Sequence, residues 1–309
     1  MRRTLLAALI AAALAGCTTT EYARMIVQQD TNYGRINQAM VGSSEQLVKS
    51  RAISGFGRYT MPDSTPIDVW FLKAPARPRG TVLVIHGLCD SKVSYLGVAR
   101  RLNEKGYDVV LPDLRAHGRS GGQYVTYGAL EKRDLLHVMD ALLKDKAVAE
   151  PVYAFGVSVG GSVAIEYAAI DPRVKGVLAY APAKDMPSLA RRFLARNAIL
   201  LDDQEMVKVV ARAGQMAHFQ PQEASAVEAA KALRCPLMLS HGAMDIVIPA
   251  SDSEAIYAAA GGPKEIEIIP LLEHFGIVVG REGAIVAGIE KLAAGKVGSA
   301  GPATGPAGK

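Results

Sequence analysis

The sequence predicts an α/β fold, with a mostly parallel eight-stranded sheet and helices on both of its faces. Short apolar runs rich in β-branched residues alternate with stretches whose apolar residues recur at helical spacing. Most of the short runs are apolar at nearly every position, as expected of strands that are covered on both sides. In such sheets functional residues belong after the carboxyl ends of the strands, so those loops are the expected place for a site.

Eight strands and five main helices are predicted along the chain. The turn signal MPDS at residues 61–64 separates the first two strands, which therefore form an opening hairpin. The predicted strands are residues 53–60, 67–73, 81–85, 108–111, 152–155, 176–180, 236–240 and 265–269. The predicted helices are residues 91–105, 128–146, 158–170, 251–260 and 281–294.

The N-terminus resembles the export signal of a bacterial lipoprotein. Arg2 and Arg3 give a basic start, and residues 5–14 form an apolar run with the length of a signal h-region, too short to span a bilayer. The sequence LAGC then resembles a lipobox, which predicts a signal peptide over residues 1–16 and lipidation of Cys17. Threonine after the cysteine favours the outer membrane, so we expect a lipid-anchored protein of the cell envelope that faces the periplasm. An ordinary cleaved signal is the alternative.

The remaining chain is expected to form one domain between two flanking segments. Residues 17–50 are predicted to be the lipidated N-terminus and a polar spacer with some helical character. Residues 295–309 are mostly glycine, alanine and proline, which predicts a disordered tail. The intervening residues 51–294 suit one large α/β domain better than two small ones.

The charge of the chain argues against nucleic acid as a partner. The sequence has 35 Lys and Arg residues against 30 Asp and Glu, a formal charge of +5, of which Arg2 and Arg3 leave with the signal. No run of basic residues is interleaved with aromatic ones, as nucleic-acid binding would favour. A mild positive charge is instead suited to anionic lipid. We expect a monomer.

The stretch VYAFGVSVGGSVAIEYA, residues 152–168, changes its apolar period at a serine. A strand-like run is followed by helical spacing from Ser158 onward, and the turn between them reads GVSVG. So tight a turn forces its central residue into strained geometry, for which the glycines make room. The first N–H groups of the new helix favour negative charge beside the serine hydroxyl. Ser158 is therefore the predicted nucleophile, and a simple glycine-rich turn is the alternative.

The ends of other strands offer the partners that a nucleophilic serine needs. After the third predicted strand comes HGL, where glycine permits a sharp turn that points the Leu88 N–H at the serine. The N–H groups of Leu88 and Val159 are the predicted oxyanion pair. After the seventh strand HGAMDIVIP offers Asp245, and after the eighth PLLEHFG offers His274.

These motifs closely resemble those of the α/β-hydrolase superfamily, over nearly all of residues 51–294. They occur in the family's order, each at its expected strand end. The resemblance is carried by HGL at His86, PDLRAHGRS at Pro112, GVSVG at Gly156, HGAMDIVIP at His241 and EHF at Glu273.

The resemblance implies catalysis through an acyl-enzyme, with Ser158 as nucleophile, His274 as general base and Asp245 as the acid that orients it. The physical logic agrees, because a serine hydroxyl is a poor nucleophile until a base takes its proton. The implied chemistry is hydrolysis of esters, thioesters, amides or related bonds, and the fold alone does not choose among them. No metal or other cofactor is expected.

The family offers a second position for the acid, where Asp185 follows the sixth predicted strand. Spacing favours Asp245, because the short HGAMD segment keeps its carboxylate at the rim of the sheet. Asp185 instead precedes a new helical stretch that begins with Met186 and Pro187, so we expect it to be a helix N-cap.

Residues 181–233 form an insertion that the sheet itself does not require. The insertion contains two helix-like stretches with apolar stripes, and the family often places a helical cap at this point. A cap would form the pocket for the acyl or leaving group, and its methionines suit adaptable packing. The alternative is that the apolar stripes pack on the core.

These features predict a membrane-anchored serine hydrolase that cleaves carboxylic esters of small to medium acyl groups, with a small-molecule ester and the membrane as its partners. Thioesterase, monoacylglycerol lipase, peptidase and acyltransferase activities stay open, because cap geometry decides among them. A non-catalytic lipoprotein that binds a hydrophobic ligand or an envelope partner is the alternative of another class. The complete triad and oxyanion glycine argue against it.

The remaining histidines and cysteines have simpler interpretations. His86 and His241 are predicted turn and packing residues, His117 lines a loop near the site, and His137 and His218 are solvated helix residues. Their scatter matches no metal-binding motif. Cys89 and Cys235 lie at opposite ends of parallel strands, about 17 Å apart, too far for a disulfide.

Overall fold

The computed structural model describes residues 18–29 and 31–298, without the side chains of residues 32, 33, 35 and 38. The predicted signal peptide, the lipidation site Cys17 and residues 299–309 of the predicted tail lie outside the described residues. None of the helices in the described ranges combines the length and the apolar character needed to cross a membrane.

Eight strands form one sheet in the order β1-β2-β4-β3-β5-β6-β7-β8. β2 runs antiparallel to both β1 and β4, and the other neighbouring strands are parallel. The strands are β1 Gly55–Thr60, β2 Pro66–Leu72, β3 Thr81–Ile85, β4 Asp108–Pro112, β5 Val152–Val157, β6 Val174–Tyr180, β7 Leu237–Gly242 and β8 Lys264–Ile269. The eight predicted strands and their mostly parallel arrangement are therefore present, with strand bounds within a few residues of those predicted.

Helices and single 3₁₀ turns connect the strands. The α-helices are α1 Thr19–Val27, α2 Asn32–Met40, α3 Ser44–Lys49, α4 Leu96–Glu104, α5 Glu131–Lys144, α6 Val159–Ala168, α7 Met186–Arg196, α8 Asp203–Ala217, α9 Ala226–Ala232, α10 Ala250–Ala259 and α11 Glu282–Ala293. The 3₁₀ turns are Lys92–Tyr95, Pro221–Glu223 and Phe275–Ile277.

The core consists of two apolar clusters, one on each face of the sheet. One cluster joins the sheet to α5 and α6 through side chains such as Leu135 and Val163, and it continues into the 181–233 insertion. The other joins it to α4 and α11 through side chains such as Leu102 and Ile289. Because both faces are covered, the inner strands are buried at every position, as their uniformly apolar sequences predict.

The expectation that the segment before residue 51 is a polar spacer is wrong, because its first helix is packed into the folded domain. Ala23, Ile26 and Val27 of α1 are fully buried, and this helix packs against α8 of the insertion. The Tyr127 hydroxyl donates to the Ile26 carbonyl at 2.6 Å. The apolar side of α1 packs against the domain, and the polar residues of this helix lie on its outer side. The folded unit therefore begins well before residue 51.

The C-terminal end of the domain also extends slightly beyond the predicted bound. Val297 is buried, and the Gly298 N–H donates to Glu265 Oε1 at 3.1 Å. The first residues of the predicted tail are thus packed beside β8.

Candidate active site

Ser158 lies on a sharp turn between β5 and α6. Its backbone angles are φ 56° and ψ −127°, a combination that non-glycine residues rarely adopt. A Cβ on Gly156 would lie 2.0 Å from the Gly160 carbonyl oxygen, and one on Gly160 would lie 2.3 Å from the His86 carbonyl oxygen. The two glycines of GVSVG are therefore required by close backbone approach, as the sequence predicts.

Three side chains from different strand ends form one hydrogen-bonded chain. His274 Nε2 lies 3.0 Å from Ser158 Oγ, and His274 Nδ1 lies 2.6 Å from Asp245 Oδ2. Asp245 follows β7 and His274 follows β8, so the carboxyl ends of three parallel strands supply the whole set. The structure thus brings together the three residues that the sequence selects as a triad.

Hydrogen bonds hold the Asp245 carboxylate in place and in its ionised form. Its Oδ1 accepts the N–H groups of Val247 and Ile248, each at 2.8 Å. Burial alone would raise the pKa of Asp245, but hydrogen bonds from His241, His274 and the Ile248 N–H outweigh burial and hold this pKa well below its usual range. A permanent negative charge next to His274 Nδ1 favours the tautomer whose Nε2 can accept the serine proton.

His241 is a second buried neighbour of the acid that the sequence assigned only to packing. Its Nε2 lies 3.3 Å from Asp245 Oδ2 and 2.8 Å from the Ile248 carbonyl oxygen, while Nδ1 contacts Ser253 Oγ at 2.7 Å. The packing interpretation is right but incomplete, because this ring also fixes the loop that carries Asp245. The sequence signal that could have indicated this role of His241 is the His-Gly pair at the end of β7.

The predicted oxyanion donor Leu88 lies in a tight turn after β3. The Asp90 N–H donates to the Gly87 carbonyl at 3.4 Å, and Cys89 has φ 60°, as the third residue of a type II turn requires. A Cβ on Gly87 would lie 3.5 Å from the Ser158 Cβ, so this turn lies directly against the serine. The other predicted donor, the Val159 N–H, belongs to the first turn of α6, where N–H groups lack intrahelical partners.

Two buried histidines connect this turn to the loop after β4. His117 Nε2 accepts the Cys89 N–H at 3.1 Å, and its Nδ1 lies 2.8 Å from the Arg115 carbonyl oxygen. His86 Nε2 accepts the Leu114 N–H at 3.0 Å. Each ring can accept these bonds only while it is neutral. Burial lowers the pKa of His117 to about 4 and also lowers that of His86.

A buried ammonium group forms a second connection between the same two loops. Lys92 Nζ, which is fully buried, bonds to Asp68 Oδ1 at 2.6 Å and to Asp113 Oδ2. It also lies 4.8 Å from the centre of the Trp70 ring. The sequence did not single out Lys92, because a lysine at the start of the predicted helix 91–105 is normally expected to be solvated.

Asp185 is not part of the hydrogen-bonded chain. Its Oδ1 accepts the Ser188 N–H at 2.7 Å and caps the N-terminus of α7, as the sequence predicts. Cys89 and Cys235 are not joined in a disulfide, which agrees with their expected separation. No group of His, Cys, Asp and Glu side chains within residues 18–29 and 31–298 is arranged to hold a metal ion.

Comparison with known proteins gives the same fold. A family model described as serine aminopeptidase S33 (Hydrolase_4) matches residues 76–204. An esterase of Pyrococcus furiosus of known structure superimposes with a TM-score of 0.63 at 20% sequence identity, over 81% of this chain and 94% of its own. The protein is a serine hydrolase with the α/β-hydrolase fold.

Two curated relatives match this hydrolase along most of its length. A monoacylglycerol lipase of Mycolicibacterium smegmatis is 26% identical over 241 residues, which are 67% of this chain and 84% of the relative. The uncharacterized protein YfhR of Escherichia coli K12 is 23% identical over 235 residues, which are 74% of this chain and 75% of the relative.

The insertion of the hydrolase folds into helices α7 to α9. A cleft of about 1120 Å³ opens between α7 and α8, with Met206, Val210 and Phe219 among its apolar lining residues. The described residues that line this cleft do not include Ser158, Asp245 or His274. The expectation that the cap shapes the acyl or leaving-group pocket therefore stays a prediction.

Proposed function

We propose that the protein is a lipid-anchored carboxylesterase that hydrolyses esters of small to medium acyl groups through Ser158, His274 and Asp245. One observation carries the proposal, namely the hydrogen-bonded chain from Ser158 Oγ through His274 to the Asp245 carboxylate. The matching family model supports a serine hydrolase, and the relatives named as esterase and lipase support ester hydrolysis as its reaction.

The proposed reaction has two steps. Ser158 Oγ attacks the ester carbonyl carbon while His274 Nε2 takes its proton, and the N–H groups of Leu88 and Val159 stabilise the resulting oxyanion. Each such donor is worth on the order of 3 kcal/mol of the barrier. When the carbon–oxygen bond to the alcohol breaks, His274 returns the proton to the leaving oxygen. Water then attacks the acyl-enzyme, with His274 again as base, and releases the acid and the serine.

The test of this mechanism is Ser158→Ala. The substitution removes one hydroxyl group, so we expect the fold to be retained while fluorophosphonate labelling and hydrolysis of p-nitrophenyl esters are both lost. A non-catalytic lipoprotein would show no labelling in the wild type. Labelling of the variant at the wild-type level would contradict the role of Ser158.

A series of p-nitrophenyl esters and monoacylglycerols of increasing chain length distinguishes the proposed esterase from a monoacylglycerol lipase, the second candidate. The five large apolar side chains that the loops after β7 and β8 leave in solvent favour this second candidate. Highest turnover on short acyl chains in solution supports the esterase, whereas highest turnover on long-chain monoacylglycerols supports the lipase.

Anchoring and location are proposals that rest on the first 17 residues. The apolar run and the LAGC sequence support lipidation of Cys17 and attachment to the outer membrane, facing the periplasm. We expect Cys17→Ala to move the protein from the membrane fraction to the soluble periplasmic fraction. Ser158→Ala, which keeps Cys17, is the matched control and stays with the membrane. Membrane retention of the Cys17 variant would reveal a second attachment.

A further inference from the structure

The loops that carry Asp245 and His274 leave five large apolar side chains in solvent. These are Met244, Ile246, Leu271, Phe275 and Val279, which are 56–85% exposed and are called the apolar rim below. Single exposed apolar residues are ordinary, but a cluster beside an active site indicates an interaction surface.

The two loops form one continuous surface. The Met244 N–H donates to the Leu272 carbonyl at 3.0 Å, and the Ala243 N–H donates to the Ile269 carbonyl at 2.9 Å. A Cβ on Gly242 would lie 2.2 Å from the Leu272 carbonyl oxygen, so the backbones are in direct contact. The rim residues on either loop are therefore fixed relative to one another and to the triad.

The rim carries almost no charge that would oppose its transfer out of water. Residues 243–249 and 270–280 contain only three ionisable side chains. Asp245 and His274 are buried and bonded to each other. The exposed Glu273 accepts the N–H groups of Phe275 and Gly276 with its two oxygens, at 3.0 and 2.6 Å. Glu273 is therefore the one exposed charge of these loops, and its carboxylate has to stay in the polar headgroup region when the rim contacts an apolar phase.

The N-terminal segment approaches the same end of the sheet. The predicted lipidation site Cys17 precedes Thr18, the first described residue, and the chain then leads into α1, which packs on α8 of the cap. Next along the chain, α2 lies against the turn that carries Leu88, since a Cβ on Gly34 would lie 2.4 Å from the Asp90 carbonyl oxygen. On α2, Ile36 and Met40 are 59% and 80% exposed.

We propose that the apolar rim docks on the surface of a phospholipid bilayer and that the hydrolase takes its ester substrate from that surface. The inference rests on the proposed function, ester hydrolysis through Ser158, and it favours the monoacylglycerol lipase candidate within it, because it makes the substrate a lipid ester. A partner protein or a second copy bound to the rim would cover the loops beside Ser158 and hinder the approach of substrate. A bilayer that covers the same loops can itself supply the substrate. The membrane tether predicted at Cys17 starts from the cap, which follows the carboxyl end of β6, the same end of the sheet as the rim.

Tryptophan fluorescence tests the orientation directly. The only native tryptophan, Trp70, is fully buried, so it is a constant background. Ile246→Trp places an indole in the rim, and Ile170→Trp places one at an exposed position before the amino end of β6, as the matched control. Both changes are made in the full lipidated chain with Ser158→Ala, bound to phosphatidylcholine–phosphatidylglycerol vesicles whose acyl chains carry bromine.

Bromine quenches an indole only within the acyl region, so docking predicts loss of about half of the added fluorescence for Ile246→Trp and almost none for Ile170→Trp. Equal quenching of the two variants, or none for Ile246→Trp, would overturn the proposal. If Ile246→Trp is unquenched and the chain sediments as a dimer, the rim is instead an interface between copies.

A kinetic test separates docking from catalysis. For Leu271→Gln with Val279→Gln, we expect turnover of dissolved p-nitrophenyl acetate within about twofold of wild type and turnover of monoacylglycerol in vesicles lowered about tenfold. Equal effects on both substrates, or none on either, would contradict docking. Failure of the wild type to hydrolyse p-nitrophenyl acetate would count against the proposed function itself, whereas the quenching result does not depend on activity.

Discussion

The loops after β3 and β4 are held by buried polar contacts, whereas the loops after β7 and β8 leave apolar side chains in solvent. His86, His117 and Lys92 connect the first pair of loops, and all three are almost completely buried. On the second pair Asp245 and His274 are buried together with the apolar residues Ile248 and Ile277, and the neighbouring rim residues are exposed. The two sides of one active site are therefore stabilised by different means.

This difference matches what each side is proposed to do. Oxyanion stabilisation requires backbone donors that are already in place before charge develops, so a rigid, cross-linked turn is favourable. The other side needs only the Asp245–His274 contact to be exact, and its outer residues are available for contact with a substrate or a surface. Changes to the buried polar contacts of the first pair should therefore affect stability, changes to Asp245 or His274 should affect catalysis, and changes to the exposed rim should affect neither.

The largest expected effect is that of Asp245→Asn. Loss of the orienting carboxylate should lower kcat by on the order of 10⁴, because His274 is no longer held in the productive tautomer. The fold should be retained, and circular dichroism with turnover of p-nitrophenyl acetate measures both. Asp185→Asn is the matched control, with a loss of about 1 kcal/mol or less in the free energy of unfolding and most activity kept. If Asp185→Asn is instead the substitution that abolishes turnover, the orienting acid has been wrongly assigned to Asp245.

The next effect is that of Lys92→Met on stability. The substitution leaves the Asp68 and Asp113 carboxylates without their buried cation, so the free energy of unfolding should fall by about 3–5 kcal/mol. Urea unfolding measures this loss. Leu271→Gln on the exposed side is the control and should change the same quantity by about 0.5 kcal/mol or less. Similar losses for the two variants would remove the distinction between the two sides.

The smallest of these effects is the pH dependence that His117 confers. Its pKa in the folded protein is about 4, against about 6.5 for an unfolded histidine, so below pH 6.5 the unfolded chain binds a proton that the folded chain does not. The contribution of His117 to the free energy of unfolding should therefore be fully present above pH 6.5. It should decrease by about 3 kcal/mol as the pH falls to 4.

His117→Gln removes the titration while it keeps an acceptor for the Cys89 N–H, so the slope of unfolding free energy against pH should become shallower between pH 4 and 6.5. His86, whose pKa is also lowered by burial, should supply part of the slope that is left. His137→Gln, at an exposed helix position, is the control. An unchanged slope in the His117 variant would show that this ring does not stay neutral in the fold.

Much of this molecule is determined by local sequence patterns. The eight strands, their mostly parallel order and the GVSVG turn could be predicted because uniformly apolar runs, helical spacing and obligatory glycines are local signals. The positions of Ser158, Asp245 and His274 followed from the same logic, since the ends of parallel strands meet at one edge of the sheet. The choice of Asp245 over Asp185 was possible because a helix N-cap also has a local signature.

Other features were decided only by the tertiary structure. The burial of α1 against the cap could not be predicted, because an amphipathic stretch with a narrow apolar stripe reads as a spacer until a partner helix is known. The contacts of Lys92 with Asp68 and Asp113 and of His117 with the Cys89 N–H join residues from separate loops, and no pattern along the chain records such distances. The apolar rim likewise became visible only with the exposure of its side chains, since an apolar residue in a sequence is expected to be buried and only the fold shows which ones are not.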